Sequence, residues 1–284
     1  MQFEFTKMHG AGNDVIVLDA PASGLPITAA QWRWLGDRHR GIGFDQAMVL
    51  EPPRREGFAA YYRIFNADGS EVEQCGNGVR CVVELLRRRG VVRNGRLRLD
   101  SPAGPIEAEI DASGTIAVDM GEPDFSPAAV AFDTQGQPGP RYHIDLPNGR
   151  VEFAIASMGN PHAVLDVPDV ATAPVAGLGA VLERHPRFRN RVNVGFRRII
   201  DRARMDLRVF ERGVGETLAC GTGTCASVAT GILAGLLDEQ VSVRLPGGTL
   251  SVRWKGPGHH LWLAGPAEVS FTGRFELPEV KQPR

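Results

Sequence analysis

The sequence predicts an α/β (α+β) fold made of two similar halves related by a pseudo-twofold axis. Three observations carry this prediction. Strand-like and helix-like stretches alternate along all 284 residues. A block around Cys75 recurs around Cys220, an offset of 145 residues (75 to 220), about half the chain. Between the blocks, residues 121–140 hold Pro123, Pro127, Pro138 and Pro140 with several glycines and read as a linker.

In the first half, strand-like alternation appears at residues 2–7, 59–65, 97–100, 106–110 and 115–120, and residues 15–18 read as a short buried strand. Residues 28–38 read as a helix with Thr28 as N-cap, and residues 77–89 as a second helix stopped by Gly90. In the second half, strands are expected at 142–146, 151–156, 163–167 and 205–210, a helix at 222–237, and strands at 241–245, 250–254 and 260–263. Each half thus sets a strand, a loop with one cysteine and then a helix. The expected division is 1–122, carrying Cys75 and completed by 267–284, and 123–266, carrying Cys220.

The repeat is specific in its residues. At the single offset, Arg63 matches Arg208, Phe65 matches Phe210, Glu71 matches Glu216, and Cys75 matches Cys220. Gly76 and Gly221, Gly78 and Gly223, and Val83 and Val228 also coincide. Upstream, Gly12 and Asn13 match Gly159 and Asn160 at a nearby offset.

Composition narrows the function. The net charge of −1 gives no reason to expect a nucleic-acid partner or an acidic membrane surface. No apolar run is long enough to cross a bilayer, and the early Glu4 argues against a signal peptide, so a cytoplasmic location is expected. The spacings of Cys75, Cys81, Cys220 and Cys225 differ from the C-x2-C of zinc and thioredoxin-like sites. Cys81 and Cys225 fall inside helices and are expected in the core. Only Lys7, Lys255 and Lys281 are present, which gives little encouragement to a pyridoxal phosphate Schiff base.

Each remaining thiol precedes a Gly-x-Gly turn into a helix: Cys75 before Gly76, Asn77 and Gly78, and Cys220 before Gly221, Thr222 and Gly223. Unpaired N–H groups and partial positive charge at a helix start favour a thiolate and can bind a carboxylate. One such cysteine is ordinarily a small buried hydrophobe, and Asn77 and Thr222 could simply be N-caps. Two in symmetric positions suggest chemistry. Inverting a carbon requires a base on one face and an acid on the other, with charge stabilisation for the carbanion between them. A thiol redox switch or a ligand-binding protein without turnover would use the same pair.

The segments MHGAGND (8–14), GIGFDQ (41–46), FNADGSE (65–71), CGNGVRC (75–81), MGNPHAV (158–164), RVNV (191–194) and ERGVGETLACGTGTC (211–225) resemble the diaminopimelate epimerase family, in order and at family spacing. The resemblance implies two pseudo-twofold halves, each a mixed sheet wrapped around a central helix. It implies interconversion of LL- and meso-diaminopimelate in lysine and peptidoglycan precursor synthesis, with no cofactor, no metal and a homodimer. Cys75 and Cys220 match the two catalytic bases, and His162 and Glu211 match residues that tune thiol pKa. Gly76, Asn77, Gly221 and Thr222 match positions that hold the reacting end. Asn13, Gln46, Asn66, Asn160, Asn193, Glu211 and Arg212 match other substrate positions. Val15 departs from an aromatic and Thr224 from an alanine common in the family. A racemase of the same architecture acting on proline, hydroxyproline or histidine is the rival reading. Arg212, a bidentate partner for a second carboxylate, argues for a substrate charged at both ends.

Overall fold

A computed structural model describes residues 2–72 and 76–277. Cys75, Lys281 and the last part of the expected 267–284 segment lie outside the described residues. The chain divides into two compact units, Met1–Val118 with Gly265–Arg284, and Asp119–Ala264.

The first unit runs β1 (Gln2–Gly10), β2 (Asn13–Asp19), α1 (Ala29–Gly36), β3 (Gln46–Glu51), β4 (Ala60–Asn66), β5 (Glu71–Val72), α2 (Gly76–Arg88), β6 (Gly95–Asp100), β7 (Ile106–Ile110) and β8 (Ile116–Asp119). Its sheet is mixed. β2 and β3 are parallel, as are β4 and β6, and each parallel pair is joined by a crossover containing a helix. The other neighbours are antiparallel.

The second unit contains α3 (Pro127–Val130), β9 (Arg141–Leu146), β10 (Gly149–Ser157), β11 (Pro161–Asp166), α4 (Val175–Glu183), β12 (Asn193–Asp201), β13 (Arg204–Glu211), β14 (Gly215–Thr217), α5 (Gly221–Leu233), β15 (Gln240–Leu245), β16 (Gly248–Arg253) and β17 (Trp262–Gly265). Here β11 and β12 are parallel, as are β13 and β15, again across helices. The pairing order repeats that of the first unit with one difference in chain order. β10 takes an outer antiparallel neighbour from the strand before it, β9, whereas β1 takes its own from the end of the chain, β18 (Glu268–Glu276).

Each sheet wraps a buried helix. In α2 every residue from Gly76 to Leu86 is buried, and the helix packs on β1, β2 and β3. α5 is buried over most of its length against β10, β11, β12 and β16, and its small residues Ala226, Ser227, Ala229 and Gly231 let the sheet come close. Burying a Val or Leu side chain contributes about 1.5–3 kcal/mol, so these helices are held by packing more than by propensity. α1 instead starts on a capping box. The Thr28 side chain accepts from Gln31 N–H and the Gln31 side chain accepts from Thr28 N–H, a device that stabilises by about 1 kcal/mol. Its inner face buries Trp32, which stacks on Phe65 at 4.9 Å.

Some boundaries differ from the sequence expectation. α5 ends at Leu233, not 237, because Gly235 adopts φ +70 and Gly235 and Leu236 N–H close the helix end on Ile232 O and Gly231 O. The expected linker 121–140 contains α3, which begins at Pro127 with Ser126 as its cap. No helix among the described residues is long and apolar enough to cross a membrane.

Candidate active site

In the second unit Cys220 is itself the N-cap of α5. Its backbone is extended (φ −118, ψ 112) and Sγ accepts from Gly223 N–H at 3.4 Å. Thr222, which the sequence offers as a cap, instead sets its hydroxyl 3.6 Å from the same sulfur. At Gly223 a Cβ would lie 3.2 Å from Val209 Cγ2 and 3.3 Å from Cys220 Sγ, tight contacts that would press on the thiol. The helix start does pull the thiol pKa down, through Gly223 N–H and Thr222. Burial, first, and the Glu211 carboxylate, second, outweigh it and push the pKa well above the usual thiol value. In this environment Cys220 is held as the thiol, so its helix start alone does not make it the thiolate of the pair, a choice the sequence left open.

A chain of contacts leads from that sulfur. Asn160 Nδ2 donates to Thr222 Oγ1 at 3.2 Å, and Asn160 Oδ1 lies 2.9 Å from His162 Nε2. With its amide NH2 committed to Thr222, Asn160 presents an oxygen to the ring, so Nε2 carries the proton. Burial and then the nearby Arg212 guanidinium push the His162 pKa down to about 3, and the ring is neutral. Asn193 is buried, donating Nδ2 to Pro161 O at 3.0 Å and accepting Arg212 N–H at 2.9 Å. Arg212 Nη1 donates to Asn190 O at 3.0 Å. Glu211 accepts from the Thr217 hydroxyl.

The first unit uses neutral residues at the matching places. Asn13 Nδ2 donates to Asp45 Oδ2 at 3.1 Å, and Gln46 Nε2 donates to Asn66 Oδ1 at 3.2 Å across the β3–β4 ladder. Asp45 is itself held by Arg38 Nη2 at 2.7 Å. Gly76 and Asn77 open α2, and buried Asn77 accepts from Arg80 Nη2 at 2.8 Å. Asp45, Arg80 and Thr217 were not anticipated. A charged residue inside the apolar run Val79–Val83 was the one sequence signal that could have found Arg80.

The repeat identities Arg63/Arg208 and Glu71/Glu216 form the same bidentate ion pair twice. Arg63 holds Glu71 at 2.7 and 2.8 Å, and Arg208 holds Glu216 at 2.6 and 2.9 Å. Each ties a long strand to the short strand that leads, four residues on, to a cysteine. Among the described residues no group of three or more His, Cys, Asp or Glu side chains converges to hold a metal ion.

Known structures share this fold. A hydroxyproline epimerase from Agrobacterium vitis, with bound trans-4-hydroxy-L-proline, superposes with TM-score 0.70 at 17% identity over 96% of this chain and 92% of that one. A phenazine biosynthesis protein of the PhzF family from Bacillus anthracis gives 0.68 at 15% identity over 97% and 99%. Among sequence relatives, the diaminopimelate epimerase of Variovorax paradoxus is 49% identical over 99% of this chain and 100% of its own length. That of Nitrosomonas europaea is 47% identical over 98% and 100%. The family match and the relatives define an isomerase of the amino-acid epimerase class, on a fold that solved structures share. The chain belongs to the diaminopimelate epimerase family, whose profile matches residues 5–126 and 130–270.

Proposed function

We propose that the chain interconverts LL- and meso-diaminopimelate by a two-base mechanism without a cofactor, with Cys75 and Cys220 on opposite faces of the reacting carbon. The observation that carries this is the buried Cys220 thiol, capping α5 beside a carboxylate that keeps it protonated. As a thiol Cys220 is the acid in one direction of the reaction, with Cys75 as the base, and the two exchange roles in the other direction. In the first direction the Cys75 thiolate takes the α-proton, and the electron pair stays on carbon and the adjacent carboxylate. Cys220 then delivers its proton to the other face and becomes a thiolate. Gly223 N–H and Thr222 O–H are already aimed at that sulfur and stabilise the charge as it forms. Glu211 opposes the thiolate and favours its reprotonation.

The start of α2 at Gly76 and Asn77 and the start of α5 at Gly221 and Thr222 hold the reacting carboxylate. Arg212, with Asn13, Gln46, Asn66, Asn160 and Asn193, receives the distal amino acid. Proline, hydroxyproline and histidine carry no second carboxylate for Arg212, which disfavours the rival substrates. The family resemblance supports a cytoplasmic homodimer serving lysine and peptidoglycan precursor synthesis. Incubation of LL-diaminopimelate with the enzyme in D2O is the test. Meso product carrying deuterium at the inverted carbon is expected from its first appearance. Absence of both conversion and α-exchange would refute the proposal.

A further inference from the structure

Glu183 is the last residue of α4, where a carboxylate is opposed by the helix dipole. Its side chain is nevertheless buried, 2% exposed. A buried carboxylate is costly unless several donors satisfy it. Here Oε1 accepts Gly213 N–H at 3.0 Å and Arg191 Nη1 at 3.4 Å, and Oε2 accepts Arg184 Nε at 3.0 Å.

These partners surround Arg212 from both sides. Gly213 follows it in the chain, and the preceding amide in the turn, Arg212 N–H, is held by Asn193. Arg191 follows Asn190, whose carbonyl receives the Arg212 guanidinium. One carboxylate oxygen therefore ties the turn that fixes the backbone of Arg212 to the segment that fixes its side chain. Arg191 has φ +57, a left-handed conformation for a residue that is not glycine. Such a residue persists where its surroundings hold it. Glu183 is delivered from a firm seat. Gly179 of α4 lies so close to β13 that a Cβ there would come within 2.6 Å of Phe210 Cβ, and Phe210 is two residues before Arg212.

We propose that Glu183 is a positioning residue for recognition of the substrate's distal carboxylate, acting through Arg212. The inference rests on the reading of Arg212 as the distal anchor. Preorganising a bidentate arginine saves the ordering cost that binding would otherwise incur. Loss of Glu183 should therefore weaken binding while leaving proton transfer at the thiols intact.

The experiment compares KM and kcat on LL-diaminopimelate for the wild type, Glu183→Ala, Glu183→Gln, Arg212→Ala and the double alanine variant. Calorimetric Kd replaces KM where turnover is too slow. Glu183→Ala should raise KM about tenfold or more with kcat within about threefold. Glu183→Gln keeps an acceptor for Gly213 N–H and should raise KM less. Adding Glu183→Ala to Arg212→Ala should cost less than about twofold more, because the two act as one unit. An unchanged KM in Glu183→Ala, alongside a raised KM in Arg212→Ala, overturns this inference alone. So does a double variant that loses the full additional factor. If Glu183→Ala fails to fold, Glu183→Gln is read the same way, alone and with Arg212→Ala. An unchanged KM in Arg212→Ala overturns the anchor reading and this inference with it.

Discussion

His162 is buried, and burial first and the Arg212 guanidinium second push its pKa down to about 3. In the unfolded chain the same ring titrates near 6.5. Between those values the unfolded state binds the extra proton. The stability contributed by this group is complete above the unfolded pKa and falls as pH drops toward about 3, by up to about 1.4 kcal/mol per pH unit. His162→Gln should flatten that part of the slope when unfolding free energies from denaturant titration are compared across mildly acidic pH. Equal slopes for wild type and variant would contradict the assignment. This behaviour was not legible in the sequence, where a histidine after Pro161 carries no sign of its burial. The Cys220 pKa was half legible. The Gly-x-Gly turn announces helix-start donors, but the desolvation and the Glu211 carboxylate that outweigh them arise only when β13 and α5 are packed together.

At the scale of elements, both buried helices and most of the longer strands could be read from periodicity and glycine stops, but not the nine-residue β12 and β18. β3 could not, because Ala47 to Glu51 are all buried and a continuous run shows no alternation. α4 holds Gly177 and Gly179 and lacks a side-chain cap, so nothing marked it as a helix. β5 and β14 are too short to show a period. Yet Glu71 and Glu216 within them stood out as repeat identities, and the twin ion pairs give the reason. Glu216→Gln should lose about 1 kcal/mol of stability, the scale of a half-exposed pair. It should lose activity disproportionately, to about a tenth or less, because the clamp sets the approach to Cys220. Denaturant midpoints and steady-state rates on the same preparation check this. Full activity with the stability loss alone would make the clamp purely structural.

Across the whole molecule, two units of one topology carry different chemistry at matching positions. The register that sets Val15 beside Gln46 sets His162 beside Asn193 in the second unit. At the repeat offset, Asn66 and Ala67 correspond to Glu211 and Arg212. Duplication was visible in the sequence through its cysteines, glycines and ion-pair residues, because those positions are constrained in both units. Glu211 and Arg212 have uncharged counterparts in the first unit, so no repeat argument could reach them, and they were read by family resemblance. A near-symmetric scaffold with one neutral and one charged set suits a reaction that is symmetric at the carbon and a substrate that must be held by its other end. The measurement that tests this most directly follows Cys75→Ala and Cys220→Ala in D2O, starting separately from LL- and meso-diaminopimelate. Each variant should lose inversion and retain α-proton exchange with only one isomer, a different isomer for each. Robust epimerisation by either variant would contradict the two-base account.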